Sequence, residues 1–186
     1  MSKPTTAEET RQMIAGCKAG KRKAQHQLFK LYYGRAMATC MRYAKSEEEA
    51  EDMLNEGFIK IFANIGMYEE EGSFDAWVKK VMVNAAIDYQ RKYKTLVVSA
   101  NYEDVPEVEL HNTTENTAIA KMSADELTAL IQRLPATTRA VFNLYVFEDY
   151  SHAEIAKMLD MKEGTSHWHL NHARTKLKEM INAIQR

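Results

Sequence analysis

The chain has 186 residues, 45% apolar and 27% charged, with a formal net charge of -1. That composition excludes collagen-like and wholly disordered structure, and the length fits two small units. Seven Gly and three Pro are too few for the hairpin turns of a β-sandwich or barrel, so the expected class is all-α.

A first helix is expected from a capping box of Thr6 and Glu9 to about Lys18, where Gly20 interrupts it. The second, from about Arg22 to Ala44, sets Leu28, Tyr32, Ala36, Thr39, Cys40 and Tyr43 on one stripe. Ser46 with Glu49 caps a third, in which Ala50, Met53, Leu54, Gly57, Phe58, Ile61 and Ile65 keep core spacing, and Gly66 is expected to end it in the left-handed region. After a loop, Ser73 caps a fourth helix with Phe74, Trp77, Val78, Val81, Ala85 and Tyr89 inward. Residues 1–94 thus form one domain.

Periodicity vanishes over residues 95–117, read as an acidic flexible linker, and residues 118–186 form a second domain. There a helix from about Ala118 to Arg133 offers Met122, Leu127, Leu130, Ile131 and Leu134 to a core. Pro135 suits the start of the next helix, with Val141, Leu144 and Tyr145 inward. Ser151 with Glu154 caps a short helix holding Ile155, Ala156 and Leu159. A turn over 160–164 leads to a last helix with Leu170, Ala173, Leu177, Met180 and Ile184 inward. Two helices across that turn, the second basic, make a helix-turn-helix.

No apolar run approaches the ~20 residues of a membrane span. The start, MSKPTTAEETRQ, has no apolar signal core, so a cytoplasmic protein without direct membrane insertion is expected. Cys17 and Cys40 offer neither a disulfide framework nor a CxxC pair and are expected to be buried thiols.

The near-neutral net charge hides an uneven distribution. Between Ser46 and Glu56 the acids Glu47, Glu48, Glu49, Glu51, Asp52 and Glu56 crowd together without a base, whereas from Lys79 to Lys94 the bases Lys79, Lys80, Arg91, Lys92 and Lys94 face only Asp88. Basic helices in an acidic chain point to nucleic acid at chosen faces. In the last helix Ser166, His167, His169, Asn171, His172, Arg174 and Lys178 are assigned to a face off the apolar stripe, with donors and acceptors suited to bases and phosphates. His167 and His169 are two residues apart, so on a regular helix they diverge by about 200° and share no ion. No metal or other cofactor is expected.

In the fourth helix Lys80, Asn84, Ile87 and Arg91 follow the spacing of a single face, a second nucleic-acid surface suited to unstacked bases or phosphates. Met67 and Tyr68, in the loop before it, are candidates for a base pocket. Asp52, Asn55, Glu56, Ile59 and Phe62 give the acidic helix a mixed face suited to a basic protein partner. No nucleophile or histidine converges on those carboxylates in sequence, so no catalytic residue is assigned and no enzyme is expected.

The strings AEDMLNEGFIKIF and FDAWVKKVMVNAAIDYQRK, followed by LPATTRAVFNLYVFEDYSHAEIAKMLDMKEGTSHWHLNHARTKL, resemble the two blocks of an extracytoplasmic-function sigma factor. That group belongs to the sigma-70 family of bacterial RNA polymerase specificity subunits. The resemblance implies sigma domain two and sigma domain four, joined without a domain three. It implies that Asp52, Asn55, Glu56 and Phe58 dock core polymerase on its largest catalytic subunits, with Asn55 where Gln is usual. It assigns Lys80, Asn84, Asp88 and Arg91 to recognition and melting of the -10 promoter element, and the loop 66–73 to capture of a flipped base. The last helix would read the duplex -35 element, with His167, His169 and His172 where Arg or Lys is common and Trp168 where a small polar residue is usual. An anti-sigma factor is a further partner that the resemblance implies. The alternative is a stand-alone helix-turn-helix regulator. Imidazoles beside phosphates favour the charged form, so promoter affinity is expected to rise as pH falls from about 7.5 toward 6.

Overall fold

The computed structural model describes residues 7–69, 72–93 and 122–184; Thr6, Lys94, the segment 95–117 and residues 118–121 lie outside them. Every regular element among the described residues is helical. The chain divides into two compact units, Met1–Tyr89 and Gln90–Arg186, with the cut inside the last turn of a helix rather than at residue 94.

The first unit is built from α1 (Ala7–Lys18), α2 (Arg22–Tyr43), α3 (Glu47–Asn64) and α4 (Phe74–Lys92), with a single 3-10 turn at Ile65–Met67. Gly20, at φ 69°, takes the left-handed conformation that lets α1 end and α2 begin after the three residues Ala19, Gly20 and Lys21. The helices approach closely because Gly16 presents no side chain: a Cβ there would lie 2.6 Å from Cβ of Ala24. Ser46 caps α3, its side chain accepting from Glu49 N at 3.2 Å. Before α4 the carbonyl of Ser73 accepts from Trp77 N at 3.0 Å.

The stripes of α2 and α3 are buried as their spacing predicts, and Cys17 and Cys40 are buried free thiols. On α4 the buried band is wider than expected. Met82, Val83, Ala86, Ile87 and Gln90 are buried beside Phe74, Val78, Ala85 and Tyr89, while Trp77 and Val81 are half-buried. A helix hydrophobic on this much of its circumference has only a narrow polar face.

Gly66 does not end α3 in the left-handed region. The helix tightens into the 3-10 turn, and Tyr68 N–H donates back to the Ile65 carbonyl at 3.2 Å; the left-handed glycine of this loop is Gly72, at φ 90°. Tyr68 then anchors the loop. Its ring packs on Phe74 and Trp77 at 5.0 and 5.6 Å, its hydroxyl donates to the Gly72 carbonyl at 3.0 Å, and its carbonyl accepts from Lys18 Nζ at 2.8 Å.

The second unit comprises α5 (Ala124–Gln132), α6 (Ala136–Val146), α7 (His152–Leu159) and α8 (Glu163–Ile184). α5 begins later than expected, at a capping box of Ser123 and Glu126, and a second box of Ser151 and Glu154 opens α7. Leu130, Ile131, Leu134, Val141, Leu144, Ile155, Leu159, Leu170 and Ala173 form the core. Fully buried Arg139 donates from Nη1 to the Gln132 carbonyl at 2.7 Å, tying α6 to the end of α5. Tyr145 and Ile184, expected inward, are exposed. The turn between α7 and α8 is shorter than expected: Asp160 takes the left-handed conformation at φ 53°, and Gly164 already belongs to α8.

Candidate nucleic-acid and polymerase interfaces

On α3 the acidic side survives as a surface. Asp52, Asn55 and Ile59 are exposed, with Ile59 at 68%, and Glu56 and Phe62 are half-buried. Tyr89 hydroxyl of α4 donates to Asp52 Oδ2 at 3.1 Å and fixes one carboxylate from behind. Phe58 departs from its expected contact role, because it is buried between Phe29 and Phe62, with ring centroids 4.6 and 6.0 Å away. It supports the helix from within. Ile59, one residue on, is the apolar group that faces out.

On α4, beyond the exposed Asp75 and Ala76 of its first turn, the exposed face consists of Lys79, Lys80, Asn84, Asp88, Arg91 and Lys92. Lys80, Asn84, Asp88 and Arg91 recur at four, four and three residues, so their side chains emerge in one row. Ile87 does not join them, since it turns into the core. Asp88 Oδ2 lies 2.7 Å from Lys60 Nζ of α3. Met67 and Tyr68, paired in the sequence reading, separate here. Met67 is 76% exposed at the tip of the 3-10 turn, whereas Tyr68 is buried by the contacts that pin the loop.

On α8 the expected row of polar residues divides in two. Ser166 and His169 are buried and face the other helices of the unit: Ser166 Oγ lies 2.9 Å from His152 Nδ1, and His169 Nδ1 lies 3.0 Å from Thr138 Oγ1. Their polarity is used inside, where an unpaired group would be costly. Burial, helped by the nearby His172, pushes the His169 imidazole down to about 4, so it is neutral at physiological pH. Exposed His167 and Arg174 and half-buried Trp168, Asn171, His172 and Lys178 remain outward.

Ring stacking fixes this outer face. His167 stacks on His152 at 3.7 Å, His152 stacks on Tyr145 at 4.6 Å, and the Arg174 guanidinium lies 6.0 Å over Tyr145. Trp168 and His172 stack nearly parallel at 4.9 Å. The sequence reading missed Tyr145 and His152, because neither lies on the reader helix. Burial and then the charge of His167 push the His152 imidazole down.

Among the described residues no group of three or more His, Cys, Asp or Glu side chains is placed to hold a metal ion. No helix among them is long and apolar enough to cross a membrane.

A helix-turn-helix in one unit and a basic helix row in the other define a DNA-binding protein of transcription. The family descriptions "Sigma-70 region 2" and "Sigma-70, region 4" match residues 28–95 and 124–177. The chain is 28% identical over 173 residues to the ECF RNA polymerase sigma factor SigM of Mycobacterium tuberculosis, covering 93% of this chain and 85% of that protein. It is 25% identical over 156 residues to SigM of Bacillus subtilis, covering 84% and 94%. With the RNA polymerase sigma-H factor of Pseudomonas aeruginosa it shares 23% over 189 residues, covering 97% and 98%. The fold matches that of the sigma factor RpoE of Bartonella quintana, crystallised with the anti-sigma factor NepR, at a TM-score of 0.52 and 19% identity, covering 87% and 98% of the two chains. The chain belongs to the sigma-70 family, in its extracytoplasmic-function group, and is an RNA polymerase sigma factor. Proteins of this family are transcription initiation factors.

Proposed function

We propose that this sigma factor docks core polymerase through Asp52, Asn55, Glu56, Ile59 and Phe62 of α3. In this reading it recognises and opens the -10 element with Met67 and with Lys79, Lys80, Asn84, Asp88, Arg91 and Lys92 of α4. The duplex -35 element is read by His167, Trp168, Asn171, His172, Arg174 and Lys178 of α8. The observation that carries this division is the row Lys80, Asn84, Asp88 and Arg91 on the narrow polar face of an otherwise buried helix. A cation-rich row with one amide suits a phosphate backbone and the edge of an unstacked base. Residues 95–117 carry Glu103, Asp104, Glu107, Glu109 and Glu115 without a base, a composition suited to a basic channel of the polymerase.

The protein performs no catalysis of its own and acts in the cytoplasm, where its polymerase works. An anti-sigma factor covering the α3 or α8 face would hold it inactive; the Bartonella sigma factor RpoE was crystallised in complex with the anti-sigma factor NepR. Run-off transcription from fragmented genomic DNA tests the reading, with purified protein and core RNA polymerase together and singly. Transcripts that begin downstream of shared, spaced -35 and -10 motifs, and only with both components, are the expected result. Absence of transcripts together with failure to bind core polymerase overturns it.

A further inference from the structure

The acid on the α4 row calls for a physical account, because a carboxylate beside Asn84 and Arg91 would repel the phosphates that those residues are placed to meet. Among the described residues α4 carries two acids. Asp75 is held inside its own unit by the Tyr32 hydroxyl and by Arg35 Nη1 at 3.1 Å. Asp88 lies on the row, and its Oδ2 is held 2.7 Å from Nζ of Lys60, which reaches across from α3. Both side chains are partly exposed, and an ion pair of that kind contributes little to folding. Its larger effect is on the field at the row.

We propose that Lys60 is a positioning residue of the strand-reading face: it neutralises Asp88 and holds its carboxylate toward α3, so that Lys80, Asn84 and Arg91 meet DNA without an opposing charge. The inference rests on the reading of α4 as the -10 face. An unmasked carboxylate weakens promoter opening, whereas removal of both charges offsets that loss.

The test uses holoenzyme on the promoter recovered by run-off transcription, with permanganate reactivity of the -10 thymines as the measure of opening. Lys60→Met should lower opening about fivefold at moderate salt, an effect that shrinks as salt screens the charge. The double variant Lys60→Met, Asp88→Asn should open better than Lys60→Met alone, because removing the unmasked carboxylate offsets the loss of its mask. Core-polymerase binding and melting temperature check that each variant is folded and assembled. A double variant no better than Lys60→Met overturns the inference, as does unchanged opening by Lys60→Met. Lys80→Ala and Asn84→Ala separate the two failures. If they also leave opening unchanged, the reading of α4 itself fails; if they impair it, only the role of Lys60 does.

Discussion

His169 shows how a residue type chosen for DNA contact becomes a core residue. Its spacing places it near the polar side of α8, but its Nδ1 meets Thr138 and its ring is buried. The imidazole titrates near 4 in the fold against 6.5 for an ordinary histidine, so folding favours the neutral form. The stability it contributes is therefore complete above about pH 6.5 and is lost as pH falls toward 4, with a slope of at most about 1.4 kcal/mol per pH unit. Urea unfolding across that window should show the wild type losing more stability than His169→Gln. Equal losses would place the titration elsewhere. His152, also pushed down by burial, adds to the wild-type slope in the same direction and is common to both proteins. The expected rise of promoter affinity at low pH cannot come from His169, which stays neutral until well below that range, so the rise should survive His169→Gln, with holoenzyme binding measured between pH 7.5 and 6.

At the scale of the element, the helices are legible because their signals are local. Period-3.6 stripes and the serine caps at Ser46 and Ser151 fix α2, α3 and α7 from sequence alone. The capping box of Ser123 and Glu126 was equally present in the sequence, but the apolar residues before it extended the expected helix back to Ala118. What local pattern does not carry is the partner of a residue. Gly66 has the composition of a helix terminator, yet Lys18 and Gly72, distant or looped back in the chain, anchor Tyr68 and settle the path. The polar character of Ser166 and His169 likewise says nothing of Thr138 or His152, which come from other helices. Gly16 is another nonlocal case, since its role depends on Ala24 lying 2.6 Å from where a Cβ would stand. Ala24 is short and cannot swing away, so Gly16→Ala must separate α1 from α2. The gain in helix propensity, about 1 kcal/mol, is outweighed by overpacking of about 1–3 kcal/mol. A net loss in melting temperature is the expected outcome, and a gain would show that the two helices separate freely.

At the scale of the molecule, the proposed attachment to polymerase and the folding of the first unit fall to adjacent residues of one helix, and the two roles should separate by substitution. Phe58 is 4% exposed between Phe29 and Phe62, whereas Ile59 is 68% exposed. An apolar side chain left in water beside Asp52, Asn55 and Glu56 has the form of an interface anchor ringed by polar groups. Ile59→Asp should leave the melting temperature within about a degree or two of the wild type, as exposed substitutions do. Loss of an anchor of roughly 2 kcal/mol should weaken core-polymerase binding about 30-fold. Phe58→Ala should do the reverse in kind: a buried aromatic truncation costs about 3–5 kcal/mol of stability, and binding should fall only as the folded fraction falls. Fluorescence anisotropy of labelled protein titrated with core polymerase, set beside thermal melts of the same samples, measures both. If Ile59→Asp binds as the wild type does, α3 meets the polymerase through another face, and the exposed isoleucine needs a different partner.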